Sequence, residues 1–161
     1  MGNAGAYNKN TFATPILLNN SSIYNLLYTY TKGNVTITPY YQYTNVKANP
    51  SIGIFASAHT NGGAILANYN FKHGISLSVR PEYIKSSGSV LDEIPTNLLY
   101  GPGSGAFAFT ITPTYVKDGF FIRGDFSIVH ATDTTSAFGV FGPDGSKTNQ
   151  PRGVIEAGFM F

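Results

Sequence analysis

Ser127, His130 and Asp133 are the three residue types of a nucleophilic triad, and they lie close together in the chain. In such a triad an imidazole takes the hydroxyl proton while a carboxylate holds the ring. The surrounding segment, Phe120-Phe-Ile-Arg-Gly-Asp-Phe-Ser-Ile-Val-His, alternates with a period of two. Successive side chains of a strand point to opposite faces, so Ser127 and His130 diverge and cannot meet one substrate. Gly101-Pro-Gly-Ser-Gly105 resembles a phosphate-cradling loop but lacks the Lys-Ser/Thr continuation and reads as a loop entering a strand. Asp92 and Glu93 could hold a cation, although two loop carboxylates are ordinarily solvated. His59, His73 and His130 have no ligand-like spacing, and cysteine is absent, so neither a thiolate metal site nor a disulfide framework is expected. No nucleophile and base converge, and neither an enzyme nor a cofactor is expected.

What remains is a set of charges sharing one strand parity: Arg80 and Glu82, Arg123 and Asp125, and Glu156, with Thr112 among them. Such a set could line a water-filled passage and impose a transverse field on solutes. It could equally form salt bridges filling a narrow interior. Folding the last two strands together brings Arg123 and Glu156 to similar heights, so they are expected to pair across strands. Lys72 is expected near the rim that carries the tight turns.

The elements that must hold these residues are strands. Charged residues make up only 11% of the 161, and aromatics 14%, with no Trp. Few charges with many hydroxyls and amides suit a wall that is apolar on one face and uncharged-polar on the other. The net charge of +2 is too small to argue for nucleic acid. No apolar run is long enough for a membrane helix. The opening Met1-Gly-Asn-Ala-Gly-Ala-Tyr-Asn-Lys has no secretory leader pattern, so the chain is expected to be the C-terminal part of a longer one; the alternative is a removed leader with Met1 added.

Alternation marks seven strands between residues 23 and 161, after a poorly defined start over residues 1–22. They are centred on Tyr24–Thr31, Val35–Thr44, Ile65–Lys72, Ile75–Ile84, Ala106–Tyr115, Phe120–Val129 and Val154–Phe161. About ten residues each is the length that crosses a bilayer when tilted. An eighth strand, Thr11–Leu18, alternates poorly and contains Pro15. Three connections are tight and contain Gly: Lys32-Gly33-Asn34, Lys72-His73-Gly74 and Lys117-Asp118-Gly119. The others, Ala48–Asn61, Ser86–Ser104 and Ala131–Arg152, are long. Short turns on one rim and long loops on the other are the pattern of a bacterial outer-membrane barrel, with the turns periplasmic.

The apolar parity is banded by height. Tyr30, Phe71, Tyr115, Phe120 and Phe159 lie towards the tight turns, and Tyr24, Tyr41, Tyr43, Tyr83 and Phe107 towards the long loops. Two aromatic rows around an aliphatic middle fit two membrane–water interfaces, which a soluble sandwich has no reason to mark. Pro39, Pro81 and Pro113 each stand two residues before an outward Tyr, and local bulges are expected there because proline cannot donate to a ladder. The expected fold is all-β: one antiparallel up-and-down transmembrane barrel segment over residues 1–161, with seven or eight strands, part of a larger barrel.

Several strings, taken together, resemble the C-terminal part of the β-barrel porin-2, OmpL-like family. They are Pro39-Tyr-Tyr-Gln-Tyr-Thr, Tyr69-Asn-Phe-Lys, Arg80-Pro-Glu-Tyr, Asn97-Leu-Leu-Tyr-Gly-Pro-Gly-Ser, Thr110-Ile-Thr-Pro-Thr-Tyr, Phe120-Phe-Ile-Arg-Gly-Asp-Phe-Ser and Gln150-Pro-Arg-Gly-Val-Ile-Glu-Ala-Gly-Phe-Met-Phe. The resemblance runs from about Leu18 to Phe161. It implies an outer-membrane location, passive passage of small hydrophilic solutes, and longer full-length members with more strands upstream. Phe161, with Phe159 and Ile155, is similar to the terminal signature read by the barrel-assembly machinery. Expected partners are therefore outer-membrane lipid, that machinery and small solutes; homo-oligomerisation is left open. The alternative function is a non-conducting barrel that displays its long loops for adhesion.

Overall fold

The computed structural model describes residues 2–3, 21–52, 55–88, 101–134 and 141–160. Strands are β1 Gly2–Asn3, β2 Ser21–Leu27, β3 Tyr30–Lys32, β4 Val35–Val46, β5 Ala58–Asn70, β6 Ile75–Ser86, β7 Gly105–Lys117, β8 Phe120–Thr132 and β9 Asn149–Phe159. All belong to one antiparallel sheet in which β2 and β3 lie end to end along β4, and each later strand pairs with the next. The seven expected strands are thus present, with β2 and β3 together forming the first. The expected strand Thr11–Leu18 lies outside the described residues.

The turn chemistry explains the hairpins. His73 and Gly74 have φ of 65° and 79°, and Asp118 and Gly119 have 50° and 79°. In the two-residue Asp118-Gly119 turn, left-handed geometry at both central residues matches the twist of the flanking strands, while Lys72-His73-Gly74 is a three-residue loop closed by the Phe71 amide, which donates to the Ile75 carbonyl at 2.8 Å. Gly33, at φ 59°, opens the third turn between the paired residues Lys32 and Val35. Gly74 is also held by space: a Cβ there would stand 1.9 Å from the Val116 carbonyl oxygen.

The strands run further towards the long loops than their alternation indicates. β5 begins at Ala58, β8 continues to Thr132 and β9 begins at Asn149, so the expected loops Ala48–Asn61 and Ala131–Arg152 are shorter than read. The reason is chemical. His59, Asn61, His130 and Asn149 share the parity of the apolar face but are polar. Hydrophobic alternation stops where they begin, while the hydrogen-bonded ladder continues. β5 has 13 residues. At about 3.4 Å each it is roughly 44 Å long, more than a tilted strand needs to cross an apolar band about 25 Å tall.

The prolines do not produce bulges. Ala64 faces Glu82 and Ala67 faces Val79, so the register is unchanged across the gap at Pro81. Ile111 faces Phe126 and Thr114 faces Arg123, so the gap at Pro113 is also in register. β2 and β3 separate opposite Pro39, yet the Tyr28 amide still donates to the Pro39 carbonyl at 3.2 Å. A bulge adds a residue to one strand. Here neither strand gains one, and each proline simply omits the return bond it has no N–H to make.

β1 flanks the sheet on one side and β9 on the other. β2–β3 and β9 both run from the long-loop rim to the tight-turn rim. Two such strands cannot close on each other in an antiparallel ladder, so closure takes an odd number of strands between them. β1 runs opposite to β2 at its Ile23 end. On the β9 side, Ala131 donates to the Thr148 carbonyl and Met160 to the Gly119 carbonyl. That phase points the backbone groups of Ile155, Ala157 and Phe159 at the outer edge, which pairs with no strand among the described residues. Pro151 shares that phase, so its missing N–H falls on the edge as well.

Candidate pore-lining face

The register sorts side chains into two faces that stay consistent across the sheet. One rung of the first face reads Tyr28, Pro39, Ile65, Pro81, Phe109, Ile128, Pro151. The next reads Tyr30, Ile37, Ala67, Val79, Ile111, Phe126, Gly153. The expected interface aromatics Tyr30, Tyr43, Phe71, Tyr83, Phe107, Tyr115, Phe120 and Phe159 all share this face. Large apolar side chains are left open on it: Ile65 49%, Tyr83 51%, Phe126 44%, Ile155 69%. Tyr24 and Tyr43 rings stand 6.2 Å apart at one end, and Phe120 and Phe159 5.5 Å apart at the other. Phe161 lies outside the described residues.

The second face carries the charges. Arg80, Thr110, Ser127 and Arg152 make one rung. Towards the loops the next rung is Ala64, Glu82, Ala108, Val129 and Gln150. Towards the turns come Asn68, Ser78 and Thr112, whose register places Asp125 and Val154 beside them, and then Ser76, Thr114, Arg123 and Glu156. Every expected lining residue, Arg80, Glu82, Thr112, Arg123, Asp125 and Glu156, therefore falls on this one face and within neighbouring rungs.

Their contacts are specific. Arg123 Nη2 donates to Glu156 Oε1 at 2.5 Å. Arg80 Nε lies 2.9 Å from Glu82 Oε2 on the same strand. Thr112 Oγ1 donates to Asp125 Oδ2 at 3.1 Å. All are partly solvated, with Arg80 44% and Arg123 48% exposed. Between β6 and β9, Arg123 and Glu156 border a groove of about 440 Å³ with Ser78, Thr112, Asp125, Arg152 and Val154. Hydrophobic alternation alone does not reveal Arg152, because it stands where the apolar pattern gives way to the expected loop. It shares the parity of Val154 and Glu156, and extending that alternation by one step would have found it. Neither Arg152 nor Asp125 belongs to an ion pair among the described residues.

Nearer the long loops the same face changes character. Val46, Ala58, Thr44, Thr60, Ser86 and Ala106 are buried. The Gly101–Ser104 loop docks there: the Ser86 amide donates to the Ser104 carbonyl at 2.9 Å, and Ser86 Oγ to the same oxygen at 3.1 Å. The Gly-rich segment is thus a loop held against a strand end. The residues considered as a triad stay apart: His130 bonds Asn149 at 2.8 Å on the apolar face, while Asp133 holds Lys85 at 2.8 Å. Asp92 and Glu93 lie outside the described residues. In the last loop, hydrogen bonds from Ser146 hold the Asp144 carboxyl below its ordinary range.

An antiparallel wall with one exposed apolar face banded by aromatics and one polar, charge-bearing face defines a β-barrel wall. The family model described as putative beta-barrel porin-2, OmpL-like, matches residues 2–161, and the chain belongs to that family. No curated protein and no solved structure matches it.

Proposed function

We propose that this chain forms part of the wall of an outer-membrane pore through which small hydrophilic solutes diffuse passively. One observation carries the reading. The charged residues inside the strands, Arg80, Glu82, Arg123, Asp125, Arg152 and Glu156, share one face, while charges with the apolar parity (Lys32, Lys85, Lys117) stand only at strand ends. A bilayer imposes this segregation, because a charge on the lipid face at mid-height costs about 2–4 kcal/mol. The polar face offers water-accessible side chains of both signs, which suits hydrated solutes rather than one tightly held ligand. Membership of a porin family supports a non-enzymatic role in the outer membrane.

A second reading has its own support. The Arg80–Glu82 and Arg123–Glu156 pairs are also what a filled, non-conducting interior would contain, and the long loops would then be displayed for adhesion. Planar-bilayer recording of the full-length protein separates the two: discrete conductance steps support the pore, and a silent inserted protein supports the anchor.

A further inference from the structure

Each of the three tight turns is preceded by a lysine: Lys32 before Gly33-Asn34, Lys72 before His73-Gly74, and Lys117 before Asp118-Gly119. All three are exposed, and none belongs to an ion pair among the described residues. Asp118 is the only acidic residue in these turns. The opposite rim differs. There Lys85 is already held by Asp133 at 2.8 Å, and Lys147 shares its loop with Asp144.

The turn-rim lysines also sit in a particular setting. Lys32 pairs with Val35, which pairs with Tyr69, and Lys117 pairs with Phe120, which pairs with Phe159. Both lysines therefore have the parity of the apolar face. Tyr69 and Phe71 rings, the latter next to Lys72 in the chain, stand 4.6 Å apart, and Phe120, which pairs with Lys117, has its ring 5.5 Å from that of Phe159. A lysine can lay its methylene stem along such apolar surface while its ammonium reaches outward. At a membrane boundary that places a compact cation at the depth of lipid phosphates, beside rings suited to the interface.

We propose that Lys32, Lys72 and Lys117 form a binding rim for the headgroups of anionic phospholipids in the leaflet that contacts the tight turns. This rests on the reading of the sheet as a bilayer-spanning wall. Each ammonium would meet a phosphate oxygen as a point charge. A cation near an anionic surface is worth about 1 kcal/mol, which corresponds to roughly fivefold in local association.

The test is spin-label EPR on the full-length protein in phosphatidylcholine vesicles, with trace spin-labelled phosphatidylglycerol or phosphatidylcholine. The restricted spectral component should favour the anionic lipid severalfold. The preference should fall towards parity in the combined K32Q, K72Q and K117Q variant, weaken with salt, and persist in K85Q at the other rim. Equal restricted fractions for both lipids in the unmodified protein, or an undiminished preference in the triple variant, would overturn the headgroup proposal while leaving the membrane reading intact. Absence of any restricted component would instead remove the membrane reading, and the proposal with it.

Discussion

Arg123 and Glu156 face each other directly across β8 and β9, with guanidinium and carboxylate 2.5 Å apart on the polar face. They make a fixed rib beside Asp125 and Arg152, neither of which is in an ion pair among the described residues. Removing one member should leave the other to act on passing ions. Glu156→Gln should shift conduction towards anions, and Arg123→Gln towards cations. Reversal potentials in asymmetric salt for the full-length protein read this directly, and unchanged selectivity in both variants would take the pair out of the conduction path.

Leu77, Ile111 and Ile122 carry the parity of the apolar face, whereas Thr112 lies on the other and bonds Asp125. Arg at each of the first three should lower folding stability in liposomes by about 2–4 kcal/mol if it meets the bilayer midplane. Thr112→Arg should cost far less. Urea-titrated folding into vesicles measures all four, and similar losses on both faces would contradict the assignment.

The gap opposite Pro81 leaves the Ile65 carbonyl without its cross-strand donor in an otherwise continuous register. Pro81→Val supplies an amide at that position. The expected gain is about 1 kcal/mol, the net worth of a typical intramolecular hydrogen bond. A bulge would not be repaired by an added N–H, so a loss of stability would argue against the in-register gap.

His73 adopts φ 65° in the middle hairpin. A residue with a Cβ pays roughly 1–2 kcal/mol for that conformation, which glycine avoids. His73→Gly should therefore stabilise the protein by up to about that amount, less what glycine loses in the unfolded chain. Equilibrium unfolding of the variant checks the sign, and a clear loss would mean that the imidazole makes a contact outweighing the strain.

Much of this fold was legible because a bilayer wall writes itself with a period of two. Tyr24, Tyr43, Tyr83 and Phe107 announce their face by identity alone, and the glycines of the three turns announce the hairpins. Three features were not legible, each for a physical reason. The strands continue past the apolar band through His59, Asn61 and Asn149, where backbone pairing no longer coincides with hydrophobic alternation. Arg152 therefore read as loop although it shares a rung with Arg80. The prolines looked like bulge formers because a missing donor and an inserted residue leave the same mark in sequence; only cross-strand register tells them apart. The Arg123–Glu156 pair was foreseeable, since both parity and hairpin geometry place those residues together.

The central claim is that one face of this sheet meets water along a conducting path while the other meets lipid. The 161 residues contain no cysteine, so a thiol introduced among them is the single one in this segment. The decisive measurement is single-channel recording of full-length protein carrying Thr112→Cys or Ile111→Cys before and after a charged, membrane-impermeant thiol reagent. The account predicts conductance steps in both, with the reagent reducing the current through Thr112→Cys and leaving Ile111→Cys unchanged. No conductance, or equal sensitivity at the two adjacent positions, would contradict it.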